Sequence, residues 1–159
     1  MILRISFSFL EKGVLMLLPK TIDPIRVAKK GGHLHGELAL SQCVRLQAIC
    51  DQANQTADVD LELNMDHQSR VPFIQGMVKA PLNLICQRCN APMCYKLDIS
   101  FLLSPVISEE EATRLPNMYE PIIVKDETVL LSEMIEDEIL LTLPMVAKHE
   151  DVNCAVQTK

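Results

Sequence analysis

The stretch Ala57-Asp58-Val59-Asp60-Leu61-Glu62-Leu63-Asn64-Met65 puts Val59, Leu61, Leu63 and Met65 on one side of an extended chain and Asp58, Asp60, Glu62 and Asn64 on the other. A period of two with one polar face identifies a half-buried strand of an antiparallel sheet. Downstream, Asp66-His67-Gln68-Ser69 makes a polar connection, and Phe73 to Ala80 forms a second strand with Gly76 as a candidate bulge. Leu82, Leu84 and Cys86 carry a third stretch. Past Asn90-Ala91-Pro92, the residues Tyr95, Leu97, Ile99 and Phe101 alternate with Lys96, Asp98 and Ser100, another strand. Upstream, Leu34, Gly36, Leu38 and Leu40 alternate over 33–40, with His33 and His35 together on the solvated face. The spacing over 44–49 suits either a short strand or a helical turn.

Helices flank these strands. Pro24 suits the first position of a short helix through Ala28, capped by Asp23 or Thr21 and stopped by Gly31-Gly32. Pro105 is expected to end the sheet segment. Ser108-Glu109-Glu110-Glu111 then reads as a capping box, Glu111 answering the Ser108 amide, for a helix to Leu115. Ile122 to Val124 suggests a brief strand. Leu130 to Leu143 predicts an amphipathic helix capped by Ser132, with Leu131, Met134, Ile135, Ile139 and Leu141 apolar and Glu133, Glu136 and Asp137 on one polar face. Strands and helices in separate blocks make the fold class α+β: a mainly antiparallel β-sheet with two or three short helices.

At 159 residues the chain is sized for one domain. Residues 1–16 read as a non-native or disordered extension, with Met16 as the native start, ahead of a single domain over 17–159. Glu11, Lys12 and Gly13 interrupt the apolar stretch near the N-terminus, which is neither an export signal nor a membrane span. Hydrophobic residues make up 48% and aromatics 4%, so the core must be aliphatic and stacking platforms for bases are scarce. The net charge of −6 hides a dipole: Lys20, Arg26, Lys29 and Lys30 face Asp23 alone over 17–36, whereas 98–151 holds thirteen carboxylates against Arg114, Lys125 and Lys148. Such a chain can turn a basic face to phosphate. Six irregularly spaced cysteines point to a reducing compartment with thiols buried, free or metal-bound.

Cys86-Gln87-Arg88-Cys89 sits at a hairpin tip, and His149 and Cys154 follow some sixty residues later. Two thiolates in a C-x-x-C turn converge on one cation, and a closed tetrahedral zinc site needs two ligands more. Cys86, Cys89, His149 and Cys154 are therefore the candidate set for a structural zinc clamp; the plain alternative is a tight turn with two reduced thiols. Dithiol redox chemistry would want a helix after the first cysteine, and Asn90-Ala91-Pro92 denies it. A zinc-dependent hydrolase or deaminase would use His35 and Glu37 of His35-Gly36-Glu37 with Cys86 and Cys89, but Ile85 stands where a proline is expected and the histidine lies in a strand. No phosphate-cradling or nucleophile motif is present. Arg26, Lys29 and Lys30 form the candidate phosphate footprint; a solvated helix face is its plain alternative.

Asp23-Pro24-Ile25-Arg26, the Cys86 to Cys89 claw, Leu115-Pro116 with Tyr119-Glu120-Pro121-Ile122, and Glu136-Asp137-Glu138-Ile139-Leu140-Leu141-Thr142-Leu143-Pro144 followed by His149 and Cys154 together resemble the YceD family of large ribosomal RNA subunit accumulation proteins, in the family's order from Leu17 to Cys154. The resemblance implies a cytoplasmic, non-enzymatic ribosome-biogenesis factor for synthesis, processing or stability of large-subunit ribosomal RNA. Its partners would be that RNA or its precursor, and a basic ribosomal protein on the acidic helix, with no membrane. Arg26, Lys29, Lys30 and Arg88 are the residues expected on RNA phosphates. Similar proteins continue into a tail with an Asn-Pro-Phe motif and closing lysines, from which this sequence departs by stopping at Lys159.

Overall fold

A computed structural model describes residues 18–49, 54–151 and 153–154. The expected extension over 1–16 lies outside them. The two-residue strand β1 (Thr21–Ile22) leads into helix α1 (Pro24–Lys30), where Asp23 Oδ1 accepts from the Arg26 amide at 2.9 Å as the cap. Gly31 ends the helix at φ 70°, a left-handed conformation that glycine adopts without a Cβ clash. Strand β2 (Gly32–Ala39) follows, then a 3-10 turn over Leu40–Gln42, helix α2 (Val44–Ile49), and strands β3 (Thr56–Met65), β4 (Pro72–Ile85) and β5 (Pro92–Val106). Helix α3 (Glu109–Thr113), strands β6 (Glu120–Ile123) and β7 (Val129–Leu130), and helix α4 (Leu131–Thr142) complete the order. The ambiguous segment 44–49 is helical.

The five-stranded sheet runs β2-β3-β4-β5-β6, antiparallel except for the last pair, and β1 pairs β7 separately. Its register stacks apolar rungs across neighbouring strands: Leu63, Ile74 and Leu103 in one and Val59, Val78 and Ile99 in another, with Leu61, Gly76 and Phe101 between them. The side chains of the first two rungs are buried, whereas Glu62, Gln75, Lys79 and Asp98 on the other face are exposed. α1 packs on β3 and β4, and α4 on β5. Leu131, Met134, Ile135 and Ile139 of α4 join Ala28, Leu40 and Leu46 in the same core. No helix among the described residues is long and apolar enough to cross a membrane.

Several local expectations are overturned. Gly76 is no bulge; it stays in register between Leu61 and Phe101, and a Cβ there would lie 2.1 Å from the Phe101 ring. Phe73 to Ala80 and the stretch ending at Cys86, expected as separate strands, are one strand running through Pro81, which lies past the last β3 pair, Asp58 with Lys79, so proline breaks no rung on that side. Pro105 does not stop β5, because the β4 pairing has already ended at Leu103 and β6 runs parallel on the other edge. Ser108 Oγ accepts from the Glu111 amide at 3.2 Å, but Glu111 answers the Ile107 amide, not that of Ser108. Ser132 lies inside α4; the Leu131 amide is satisfied by the Lys20 carbonyl at 2.9 Å instead of a side-chain cap.

Candidate metal centre and basic end

The turn between β4 and β5 is made by two backbone hydrogen bonds. The Cys86 amide donates to Ala91 O at 3.0 Å and the Asn90 amide to Cys86 O at 2.8 Å. Asn90 completes it at φ 57°, a left-handed position that asparagine tolerates better than most residues. The segment after α4 returns to this tip: the Gln87 amide donates to Ala147 O at 2.8 Å, and Arg88 Nη1 to Asp151 O at 3.1 Å. His149 and Cys154 thereby come over the turn. Cys86 Sγ lies 3.9 Å from Cys154 Sγ, Cys89 Sγ 3.4 Å from His149 Nδ1, and all four ligand atoms fall within 4.8 Å of one another.

The 3.9 and 3.4 Å separations match edges of a metal-binding tetrahedron. Bonds of about 2.3 Å to sulfur and about 2.0 Å to nitrogen give edges of about 3.8 Å between sulfurs and about 3.5 Å between sulfur and nitrogen. Burial opposes charge on Cys86, but the amides of His149, Cys89 and Arg88 and the Cys89 thiol donate to its sulfur and bring the thiol down from 9.0 to about 5. Cys154 moves the other way: burial first, then the neighbouring Cys86 and Cys89, push it up. Cations favour the thiolate form that ligates them, so an ion among the four would offset this crowding. Arg88, expected on RNA phosphate, is turned toward this cluster. It is half-buried, with Nη1 3.7 Å from Cys154 Sγ.

The turn between β3 and β4 repeats this backbone with different side chains. The Asp66 amide donates to Val71 O and the Arg70 amide to Asp66 O, each at 2.9 Å, and Arg70 sits at φ 57° where the other turn has Asn90. Asp66 and Ser69 take the places of Cys86 and Cys89. The Ser69 hydroxyl, the Gln68 amide at 2.9 Å and the Tyr119 hydroxyl at 3.0 Å all donate to the Asp66 carboxylate and hold its pKa at about 2.

Arg26, Lys29 and Lys30 are exposed on α1 and form no ion pair among the described residues. Lys29 and Lys30 edge a hollow shared with Asp66, His67 and Tyr119, which fixes them at the Asp66 end of β4. Arg88 is at the other end. Thirteen residue steps of about 3.3 Å along β4 put the two tips roughly 40 Å apart, so the four residues expected on phosphate do not form one surface. The fold instead surrounds α1 with Arg70, Arg114 and Lys125. They stand singly in the sequence, and only the tertiary structure groups them.

The hydrolase constellation is not assembled. His35 and Glu37 are exposed on β2, with His35 Nδ1 3.3 Å from Asp60 Oδ2. Glu37 is in register with Asp58, and Asp58 with Lys79; from there to Cys86 are seven residues, roughly 20 Å of strand. Glu136, expected on the polar face of α4, is 3% exposed. Its carboxylate accepts from the Leu46 amide at 2.8 Å and Arg45 Nε at 3.0 Å. Asp137 stays outside, paired with Arg45 Nη1 at 2.6 Å.

Comparison with known proteins places the chain. Residues 74–159 match the family model described as large ribosomal RNA subunit accumulation protein YceD. A protein of that name from Haemophilus influenzae is 35% identical over 143 residues, covering 89% of this chain and 82% of the relative. No solved structure matches. The family-model region includes the claw, α4, His149 and Cys154, though not Asp23-Pro24-Ile25-Arg26, and together with the relative it shows that the chain belongs to the YceD family.

Proposed function

We propose that this chain is a non-enzymatic cytoplasmic factor that supports the accumulation of large-subunit ribosomal RNA by holding that RNA, its precursor or an assembly intermediate at the basic end of the molecule. The name borne by its Haemophilus influenzae relative supplies the process. The observation that carries the contact is the set Arg26, Lys29 and Lys30 on α1, exposed and without an ion pair among the described residues, which a phosphate backbone would neutralise with release of counterions. The opposite end has a structural part: a zinc ion held by Cys86, Cys89, His149 and Cys154 pins the hairpin tip to the segment after α4, a donor set of thiolates and imidazole that suits zinc. Around α4, burial, Glu120 and Asp137 together raise the pKa of Glu138. That crowded acidic surface, from which Glu136 is withdrawn, suits a basic ribosomal protein.

Crosslinking in cells followed by sequencing of the attached RNA tests the reading, with recovery of large-subunit precursor sequence as the expected result. In vitro, the Lys29→Glu, Lys30→Glu double variant should bind RNA at least about tenfold more weakly, with a salt dependence flatter by about 1.4 to 1.8 in slope. Unchanged binding would remove these lysines from the contact. Elemental analysis should return one zinc per chain, lost when Cys86 and Cys89 are replaced by serine.

A further inference from the structure

A cleft of about 450 Å³ opens between α1, the turn after β3 and α3, a volume in the range of small-ligand sites. Its walls are apolar, with Pro72, Pro105 and Ile107 among them, and its rim carries Lys29, Arg70 and Arg114. Ile107 is 64% exposed and lines this cleft, so an apolar surface there is open to a ligand. Lys29 and Ile107 also wall a second hollow of about 430 Å³, edged by Arg26 and Lys125, so the cations of both lie along one surface. The carboxylates nearby are largely committed: Glu111 to the Ile107 amide, Asp23 to the Arg26 amide. Glu110 pairs with Arg114, but both are mostly exposed and such a pair yields readily to a phosphate. Glu127 at the far side of the second hollow is the acid left over.

Arg70 supplies an independent observation. It holds φ 57° in a turn whose twin uses Asn90 at the same place, and a long side chain there is strained where asparagine or glycine is not. Its side chain has no hydrogen bond or ion pair among the described residues. Arg70 is thus an exposed arginine on the rim of a cleft, unpaired among the described residues and free to meet a ligand.

The geometry points to a binding site for single-stranded RNA, with phosphates on Lys29, Arg70 and Arg114 and one unstacked base in the cleft between them. This rests on the RNA-holding reading above and specifies it. A base inside a duplex cannot enter a concave apolar site, whereas a splayed base can, and proteins read RNA chiefly in such unpaired segments. A stacked aromatic is absent from the walls, so the fit is by apolar contact and charge.

The test is fluorescence anisotropy of the full chain with a short single-stranded RNA and with the same strand annealed to its complement. The single strand should bind at least about tenfold more tightly, the scale of one base contact. Arg70→Asn should raise the thermal unfolding midpoint while weakening single-strand binding several-fold and lowering its salt slope by about 0.7. Ile107→Asp should weaken the single strand and leave the duplex as it was. Equal affinity for duplex and single strand overturns the inference. So does parental binding by both Arg70→Asn and Arg114→Gln; if Lys30→Glu then still weakens binding, the RNA-holding reading survives without the cleft. A parent chain that binds neither RNA sinks both.

Discussion

Asp66 and Cys86 occupy the same place in two turns of one backbone shape, and each fastens its turn with a different chemistry. The carboxylate gathers three hydrogen-bond donors; the thiol waits beside three other ligating groups. Because the folded Asp66 carboxyl titrates near 2 rather than 3.8, its contribution to stability is fully present above about pH 4 and is lost as pH falls through about 2. The Asp66→Asn variant should therefore unfold at a lower temperature than the parent at pH 5, with the gap closing toward pH 2; thermal melts across that range check it, and a constant gap contradicts the assignment. At this scale the sequence was readable where residue type restricts chemistry. Few side chains can ligate a soft cation, so Cys86, Cys89, His149 and Cys154 could be named together, and the structure brings them together. Glu136 was unreadable because its partners, Arg45 and Leu46, stand ninety residues earlier and only the fold selects them.

Alternation over 57–65 and 95–101 reported its strands directly, because one face of this sheet meets the core and the other meets water. Prolines and glycines misled, since their cost depends on whether a neighbour strand is present. Pro81 and Pro105 are tolerated past the ends of particular pairings, and Gly76 is required by a ring rather than by the backbone. A phenyl group covering a glycine one strand away shields backbone that would otherwise be bare. Gly76→Ala should thus cost about 1–3 kcal/mol in urea denaturation, and Phe101→Leu in the same chain should recover part of the loss. Full stability of the single variant would mean that the ring moves aside freely. The resemblance gave the order of motifs along the chain, but not the regrouping of Arg70, Arg114 and Lys125 around α1, for which no linear spacing exists.

Taken as a whole, the molecule is held together differently at its two poles. Near Asp66 the contacts are hydrogen bonds and apolar packing; at the claw the return of the chain rests on the backbone bond from Gln87 to Ala147, the Arg88 side-chain bond to the Asp151 carbonyl and the cluster of Cys86, Cys89, His149 and Cys154. If zinc is held there as proposed, a chelator should accelerate hydrogen exchange at 87–89 and 147–151 while β2 to β5 stay protected, and added zinc should reverse it. Uniform loss of protection would instead make the metal a condition for the whole fold. The long β4 strand adds a constraint of reach. A ligand in contact with both poles must extend as far as roughly a dozen stacked base pairs at about 3.4 Å each, so short oligonucleotides can report on one pole at a time, and cooperation between the poles would emerge only with an RNA large enough to straddle the protein.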